Sequence, residues 1–244
     1  MNTTPTVGFI YPDHAAEDDY PLAAGWLDAH FPVAHIYGTD LHAVPELLDL
    51  GSPGRLAEGA RLLAPQHPQA VVWACTSGSF VYGPDGAEEQ VDQLAQITGV
   101  PTSSTSRAYL AALAALGLTR VAVAASYPDD VARLFADYLA SAGVEVVSFS
   151  SAGIDTAAEV GNLSADEVTA LAIGNDHADA QALLIPDTAM RTLAVLPELE
   201  RRLGQPVLTA NQVTIWEGLR LAGAPRYSAR LGALFAAGRV DAGR

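Results

Sequence analysis

Short runs of consecutive apolar residues recur along the chain and are separated by longer amphipathic stretches. Eight runs are almost continuously apolar, a pattern typical of parallel strands that are buried on both faces. These runs are TVGFIYP, AHIYG, AVVWACT, VPTSST, RVAVAASYP, VEVVSFS, ALLIPDT and PVLTAN. The pattern predicts eight buried strands.

The stretches between the strands are rich in alanine and leucine and have the spacing of amphipathic helices. Examples are SPGRLAEGARLLAPQ, SRAYLAALAALG, PDDVARLFADYLASAG, SADEVTALAIGN and TLAVLPELERRLG. Several end in glycine, the usual residue after a helix, and Ser164 and Glu167 have the spacing of a capping box. Strands that alternate with helices predict an α/β fold with parallel sheets.

The chain also repeats three landmarks in the same order. Tyr11-Pro12-Asp13 is echoed by Tyr127-Pro128-Asp129, AVVWACTS by ALLIPDTA, and TGVPTSSTS by LGQPVLTAN. This repetition predicts two pseudo-symmetric Rossmann-like lobes that face each other across a cleft. We expect lobe one to span residues 1–116, with 212–244 packing back on it, and lobe two to span 117–211.

Composition excludes several classes of function. The 244 residues include 28 acidic and 13 basic side chains, for a formal net charge of −15, and such a surface repels nucleic acid. The six histidines lack ligand spacing, so no metal is expected. No apolar run is long enough to span a bilayer, so no membrane partner is expected. The single cysteine and the lack of secretory-signal features at the start predict a cytoplasmic protein.

The single cysteine, Cys75, follows an apolar strand, and the repeat pairs it with Asp187. Ligands bind at the carboxyl ends of strands in open α/β sheets, so both residues are expected on opposite walls of one cleft. A helix beginning near residues 79–83 would lower the pKa of the thiol and favour anions. Two simpler interpretations stay open: Cys75 as a buried core residue, and Asp187 as the cap of the following helix.

Polar neighbours complete the candidate site. Thr76, Ser77, Tyr127 and Thr188 offer hydroxyl or backbone N–H donors for a carboxylate, and His14 follows the first strand. Such donors suit the stabilisation of negative charge that develops next to a carboxylate. Proton abstraction, decarboxylation and addition to a double bond all fit, and none of them requires a cofactor.

The order GFIYP, ACTSG, VPTSSTS, SYPDDV, PELERRLGQPV and ANQVTIW resembles the aspartate/glutamate/hydantoin racemase superfamily over nearly the whole chain. It is most similar to the branch that holds maleate cis–trans isomerase and arylmalonate decarboxylase. The resemblance implies that Cys75 is the first-lobe catalytic cysteine, a nucleophile in the isomerases that the decarboxylase lacks. It also implies that Thr76, Ser77 and Tyr127 bind a substrate carboxylate.

This sequence departs from the superfamily at three positions. Asp187 stands where a second cysteine is usual, and Ala15 and Ala157 match two asparagines that bind the second carboxylate in maleate isomerases. We therefore expect a cofactor-independent isomerase for a small carboxylate or dicarboxylate, with Cys75 as nucleophile or base and Asp187 as the opposing acid or base. The enzyme could also form a homo-oligomer.

Three alternatives to isomerisation remain. One is decarboxylation of a malonate-type acid, although the decarboxylase protonates its carbanion from the second-lobe cysteine that is here Asp187. The second is a protein that binds a small anion without catalysis, because two α/β lobes that close on a ligand also suit solute binding. The third is a degenerate member of the family that acts only as a partner subunit, since the second cysteine is absent.

Overall fold

The chain forms two four-stranded parallel sheets in a computed structural model, which describes residues 4–237. Every strand pair is parallel. The strands are β1 (Val7–Pro12), β2 (Val33–Ile36), β3 (Ala70–Trp73), β4 (Thr102–Ser104), β5 (Arg120–Ala125), β6 (Glu145–Ser151), β7 (Ala182–Ile185) and β8 (Val207–Thr209).

Helices connect the strands and pack around both sheets. They are α1 (Asp19–Leu27), α2 (Val44–Leu50), α3 (Pro53–Leu63), α4 (Ser77–Phe80), α5 (Gly83–Thr98), α6 (Thr105–Leu116), α7 (Asp129–Ser141), α8 (Ala157–Gly161), α9 (Ala165–Gly174), α10 (Leu196–Leu203), α11 (Ala210–Leu221) and α12 (Gly232–Ala236). None of the helices within residues 4–237 is long and apolar enough to cross a membrane.

The two sheets have the same design. The first has the strand order β2-β1-β3-β4 and the second has the order β6-β5-β7-β8, so β3 and β7 hold equivalent places. All four residues of β3 and of β7 are buried, as the continuous apolar runs predict for strands covered on both faces. The structure confirms the predicted α/β fold with two parallel sheets.

Several local details follow from capping chemistry. Ser164 and Glu167 form the predicted capping box at the start of α9. The helix expected from residue 192 begins only at Leu196, with Pro197 in its first turn, where the missing N–H of proline costs no hydrogen bond. Strand β4 is shorter than its apolar run because the side chain of Ser104 caps α6.

Two connections join the first half of the chain to the second. The first is helix α11, from the second half of the chain, which packs against α6 and β3 of the first half. Helix α12 instead packs against α10 and β8, within the second half. The loops 39–42 and 154–157 are joined by hydrogen bonds from the His42 N–H to the Asp155 carbonyl, at 2.8 Å, and from the Ala157 N–H to the Asp40 carbonyl, at 2.9 Å. The lobe boundaries stay a prediction, and residues 238–244 of the segment expected to pack on lobe one lie outside the described residues.

Candidate active site

Cys75 lies two residues beyond the end of β3, where the chain turns into α4. Its Sγ accepts a hydrogen bond from the Gly78 N–H at 3.3 Å and lies 3.7 Å from the Ser77 hydroxyl oxygen. A Cβ atom at Gly78 would come within 3.2 Å of this sulfur, so a glycine lets the turn approach it closely. The sequence after β3 therefore places a thiol against backbone and hydroxyl donors.

Burial dominates the protonation of this thiol. Cys75 is only 4% exposed, and the loss of solvent raises its pKa to about 11, although the hydrogen bonds from Gly78 and Ser77 act in the opposite direction. The expected lowering of the pKa by a helix is wrong, because α4 has only four residues and cannot offset the desolvation of a thiolate. The group is therefore a protonated thiol at neutral pH.

The two residues after Cys75 are buried hydroxyls. Ser77 is the first residue of α4 and lines the cavity described below. Thr76 is fully buried, and its Oγ1 finds no hydrogen-bond partner within the described part of the chain. Burial raises the pKa of the Tyr127 phenol, and Thr76 lies close enough to it to act in the opposite direction. Thr76 lies outside the cavity lining, so a ligand would reach this hydroxyl only in a wider cavity.

Asp187 lies two residues beyond β7, the strand equivalent to β3. One carboxylate oxygen accepts from the Ala189 N–H at 2.9 Å, and the other accepts a very short hydrogen bond from the Ser126 hydroxyl. The hydrogen bond from the Ala189 N–H closes an Asx turn, in which the aspartate side chain accepts from the backbone two residues later. Asp187 is therefore not the cap of a following helix, since the next helix, α10, begins at Leu196.

A small cavity joins these residues. It encloses about 30 Å³, and Cys75 and Asp187 both line it. That volume holds water but is far below the roughly 300 Å³ of a typical small-molecule site, so a substrate must widen it. The other lining residues are Tyr11, Pro12, Asp13, His14, Ala15, Thr39, Asp40, His42, Leu47, Leu50, Ser77, Ala157, Thr188 and Ala189.

The wall of this cavity is part polar and part apolar. Ala15, Leu47, Leu50 and Ala157 provide an apolar surface. The two alanines matched to the carboxylate-binding asparagines of maleate isomerases thus both border the cavity. At these positions neither side chain offers a hydrogen bond to a second carboxylate.

The structure brings most of the predicted site residues together. Cys75, Asp187, Ser77, Thr188 and His14 all line the cavity. Thr76 and Tyr127 are buried outside that lining. The catalytic and binding roles assigned to these residues stay predictions.

Tyr127 directs its hydroxyl to the backbone. The hydroxyl donates to the Pro186 carbonyl at 2.7 Å, and burial with the neighbouring Asp187 charge holds the pKa of Tyr127 well above its usual range. The carbonyl of Thr188 accepts hydrogen bonds from the Tyr11 hydroxyl at 2.8 Å and from Asn211 Nδ2 at 3.2 Å. These contacts fix the backbone next to Asp187.

Sequence reasoning missed Tyr11, His42 and Ser126 as parts of the site. The repeat contained a signal for Tyr11, because it pairs this residue with Tyr127. Ser126 directly precedes that second Tyr-Pro-Asp motif. His42 lies in a loop without a recognisable motif, so only the folded chain shows its place beside Asp187.

His14, Glu17 and His35 could in principle hold a cation at the rim of the cavity. Their ligand atoms lie within 4.8 Å of one another, and His14 Nδ1 is 2.7 Å from the Glu17 carboxylate. The two imidazoles are stacked with their centroids 4.0 Å apart. An ion between stacked rings would lie outside the plane of their lone pairs, which is a poor geometry for coordination.

Comparisons with known proteins agree with this architecture. A profile of the arylmalonate decarboxylase family matches residues 51–235. Arylmalonate decarboxylase of Bordetella bronchiseptica is 31% identical over 232 residues, which cover 91% of this chain and 92% of that protein. A maleate isomerase of Geobacillus stearothermophilus is 24% identical over 170 residues, or 67% of this chain and 68% of the relative.

A solved structure extends the likeness to three dimensions. It is a liganded arylmalonate decarboxylase variant in which a glycine is replaced by cysteine and a cysteine by serine. The two proteins are 28% identical and superpose with a TM-score of 0.86, covering 96% of this chain and 99% of that one.

Two parallel sheets of the same design, with a buried cavity at the ends of their equivalent strands, fit the decarboxylase and isomerase branch of the racemase superfamily. The chain belongs to the arylmalonate decarboxylase family. Its named relatives are enzymes that act on small carboxylates.

Proposed function

We propose that the protein is a cofactor-independent enzyme that decarboxylates a malonate-type acid, with the Cys75 thiol as the proton donor. The observation that carries this proposal is a buried thiol, with a pKa of about 11, in a cavity with a partly apolar wall. A thiol that keeps its proton at neutral pH is an acid ready to protonate a carbanion. We place the enzyme in the cytoplasm, where a free thiol stays reduced.

The reaction balances without another reactant. The bond between Cα and one carboxylate breaks, carbon dioxide leaves, and the electron pair stays on Cα as an enediolate. The S–H bond of Cys75 then breaks, its proton passes to Cα, and the thiolate regains a proton from water. The buried thiolate is a strong base, so its reprotonation is favourable.

The remaining carboxylate needs donors that become stronger partners as the enediolate forms. We assign this role to the Ser77 hydroxyl and the Thr188 N–H, from two residues that line the cavity, and to the Thr76 hydroxyl once a substrate has widened the cavity. The departing carboxylate would face Ala15, Ala157 and the leucines of α2. An apolar surround favours the loss of charge from that carboxylate.

Isomerisation through Cys75 is the second candidate. The observation in its favour is that Cys75 and Asp187 line the same cavity from equivalent strands. A thiol and a carboxylate on two walls are the arrangement needed for proton exchange at one carbon, or for thiol addition to a double bond. The alanines at positions 15 and 157 count against maleate as the substrate.

The test is incubation with phenylmalonate and with maleate in D2O, followed by NMR of the products and intact-protein mass spectrometry. Wild type, Cys75→Ala and Asp187→Asn are compared. We expect carbon dioxide and phenylacetate with one deuterium at Cα from wild type, and a loss of turnover of about a hundredfold or more in Cys75→Ala.

Other outcomes would reassign the protein. Fumarate from maleate with a mass adduct on Cys75 would establish the isomerase. Binding of a diacid that is unchanged in Cys75→Ala, with no product from either acid, would overturn the enzyme proposal in favour of a small-anion binding protein.

A further inference from the structure

His42 lies beside Asp187 inside the protein. Its Nε2 is 3.9 Å from Asp187 Oδ2, and the side chains are only 6% and 4% exposed. The distance exceeds that of a direct hydrogen bond, but it is short for two ionisable groups in a region that excludes solvent. The two residues come from loops in different halves of the chain, so only the tertiary structure pairs them.

The other ring nitrogen fixes how His42 can carry protons. Nδ1 lies 3.1 Å from the carbonyl oxygen of Ile154, which can only accept, so Nδ1 is the protonated nitrogen of the neutral ring. Nε2 then faces Asp187 with a lone pair and takes up any second proton. The Tyr127 ring packs edge-on against the imidazole, with the centroids 5.0 Å apart, and holds its orientation.

The described lining of the cavity holds more acidic than basic groups, so an anionic ligand needs a source of positive charge there. Three aspartates, Asp13, Asp40 and Asp187, line the cavity, and within residues 4–237 no lysine or arginine does. The groups in the lining that can become cations are His14 and His42. His14 is 65% exposed at the rim, whereas His42 is buried against Asp187. An anion that enters this cavity must therefore meet neutralised aspartates or a protonated histidine.

We propose that His42 is a positioning residue for Asp187: when an anion enters the cavity, the pair takes up one proton that the imidazole and the carboxylate share, and this proton sets the charge that the wall presents to an anionic substrate. The shared proton makes the pair neutral overall, either as imidazolium and carboxylate or as imidazole and carboxylic acid. The effect on substrate rests on the proposed function, whereas the sharing itself does not. Ser126, which donates to Asp187 Oδ2, keeps the carboxylate in place for either form.

Other titratable groups also face the pair. Cys75, Tyr11, Tyr109 and Tyr127 lie close enough to Asp187 for their pKa values to be raised by its charge. All four are protonated at neutral pH, so none supplies a compensating charge there. On the loops that carry His42 and its partners, Asp40 and Asp155 add negative charge. Within the described residues, the groups around the pair therefore add negative charge and no compensating cation.

The first test needs no substrate. In full-length protein labelled with 15N-histidine, His42→Gln identifies the His42 ring signals. We expect a protonated Nδ1, and we expect Asp187→Asn to move the His42 ring signals but leave those of His35 in place. A His42 with an unprotonated Nδ1, or with signals that ignore Asp187→Asn, would overturn the proposal.

The second test measures proton uptake on binding. Titration calorimetry with malonate at about pH 7.5, in buffers of different ionisation enthalpy, gives the number of protons taken up. We expect proton uptake in wild type and almost none in His42→Gln. The Kd of His42→Gln for malonate should be raised about tenfold or more, because this variant leaves Asp187 as an uncompensated charge. His177→Gln, with a partly exposed side chain outside the cavity lining, is the control and should behave as wild type.

A double variant separates charge from structure. Asp187→Asn added to His42→Gln removes the uncompensated charge and should return the Kd to within about threefold of wild type, whereas a merely structural loss would persist. Proton uptake that is equal in wild type and His42→Gln would contradict the proposal. If wild type neither binds malonate nor turns over phenylmalonate, the proposed function fails, while the ring signals of His42 still decide the proton-sharing pair.

Discussion

The hydroxyls of Tyr11 and Tyr127 donate hydrogen bonds to the peptide carbonyls on either side of Asp187. Tyr11 contacts the Thr188 carbonyl at 2.8 Å, and Tyr127 contacts the Pro186 carbonyl at 2.7 Å. The internal repeat pairs these two tyrosines, of which Tyr11 lies in β1 and Tyr127 lies two residues beyond the end of β5. The segment that carries Asp187 is therefore held from both halves of the molecule.

The variant Tyr127→Phe tests whether the hydrogen bond to the Pro186 carbonyl contributes to stability alone or also to activity. It leaves a buried carbonyl without its donor, so we expect a loss of about 1–3 kcal/mol in the free energy of unfolding. Tyr109→Phe is the matched control, because the Tyr109 hydroxyl donates, at 2.6 Å, to the carbonyl of Ile185, the last residue of β7 and the residue before Pro186. Urea denaturation should show similar losses for both variants. Only Tyr127→Phe should also lower kcat/KM for phenylmalonate about tenfold, and equal activity losses would contradict a role next to the site.

The raised pKa of Cys75 predicts slow alkylation. The thiolate is the reactive form, and with a pKa of about 11 it is scarce at neutral pH. The rate of reaction with iodoacetamide, followed by intact-protein mass spectrometry, should rise about tenfold per pH unit up to about pH 10. Cys75 is the single cysteine, so the urea-unfolded chain is a direct control that should level off near pH 9. If the alkylation rate of the native protein also levelled off near pH 9, the pKa of Cys75 would not be raised by burial.

Gln90 holds the turn that carries the thiol. From α5 its Nε2 donates to the Gly51 carbonyl at 2.7 Å and to the Gly78 carbonyl at 2.9 Å. Gln90→Met removes both hydrogen bonds at nearly constant volume, and we expect a destabilisation of about 2–4 kcal/mol with reduced turnover. Gln96→Met, at an exposed position of the same helix, should change stability by less than about 0.5 kcal/mol. Thermal unfolding that is alike for the two variants would refute this role.

Asp19 predicts a pH dependence of stability. It is only 4% exposed, and burial raises its pKa from 3.8 to about 6, despite hydrogen bonds from Asn211 and the Thr192 N–H. Between about pH 4 and 6 the native state keeps a proton that the unfolded state has lost. The free energy of unfolding should therefore fall as pH rises through this window, by up to about 3 kcal/mol, and change no further from this cause above it.

Asp19→Asn removes this titration while keeping an oxygen acceptor. Urea denaturation from about pH 4 to 7 should give a flatter profile for this variant than for wild type. Asp92→Asn, at an exposed position of α5, should leave the wild-type profile unchanged. A profile for Asp19→Asn that parallels wild type would exclude Asp19 as the cause.

The sequence by itself determined the class of fold and two opposed residues of the site. Continuous apolar runs identify buried parallel strands, and the ordered repeat identifies two sheets of one design, because both signals are local. The same repeat aligned Cys75 with Asp187. The predicted ends of β4 and of the helix before β8 were wrong by a few residues, although Ser104 and Pro197, which set those ends, have fixed preferences at helix starts.

Only the tertiary structure decided the state of the site. The thiol of Cys75 keeps its proton because surrounding residues exclude water, and no local motif reports that burial. His42 reaches Asp187, and Tyr11 reaches Thr188, across large separations in sequence. Such contacts depend on how the two sheets face each other, which no short stretch of the chain encodes.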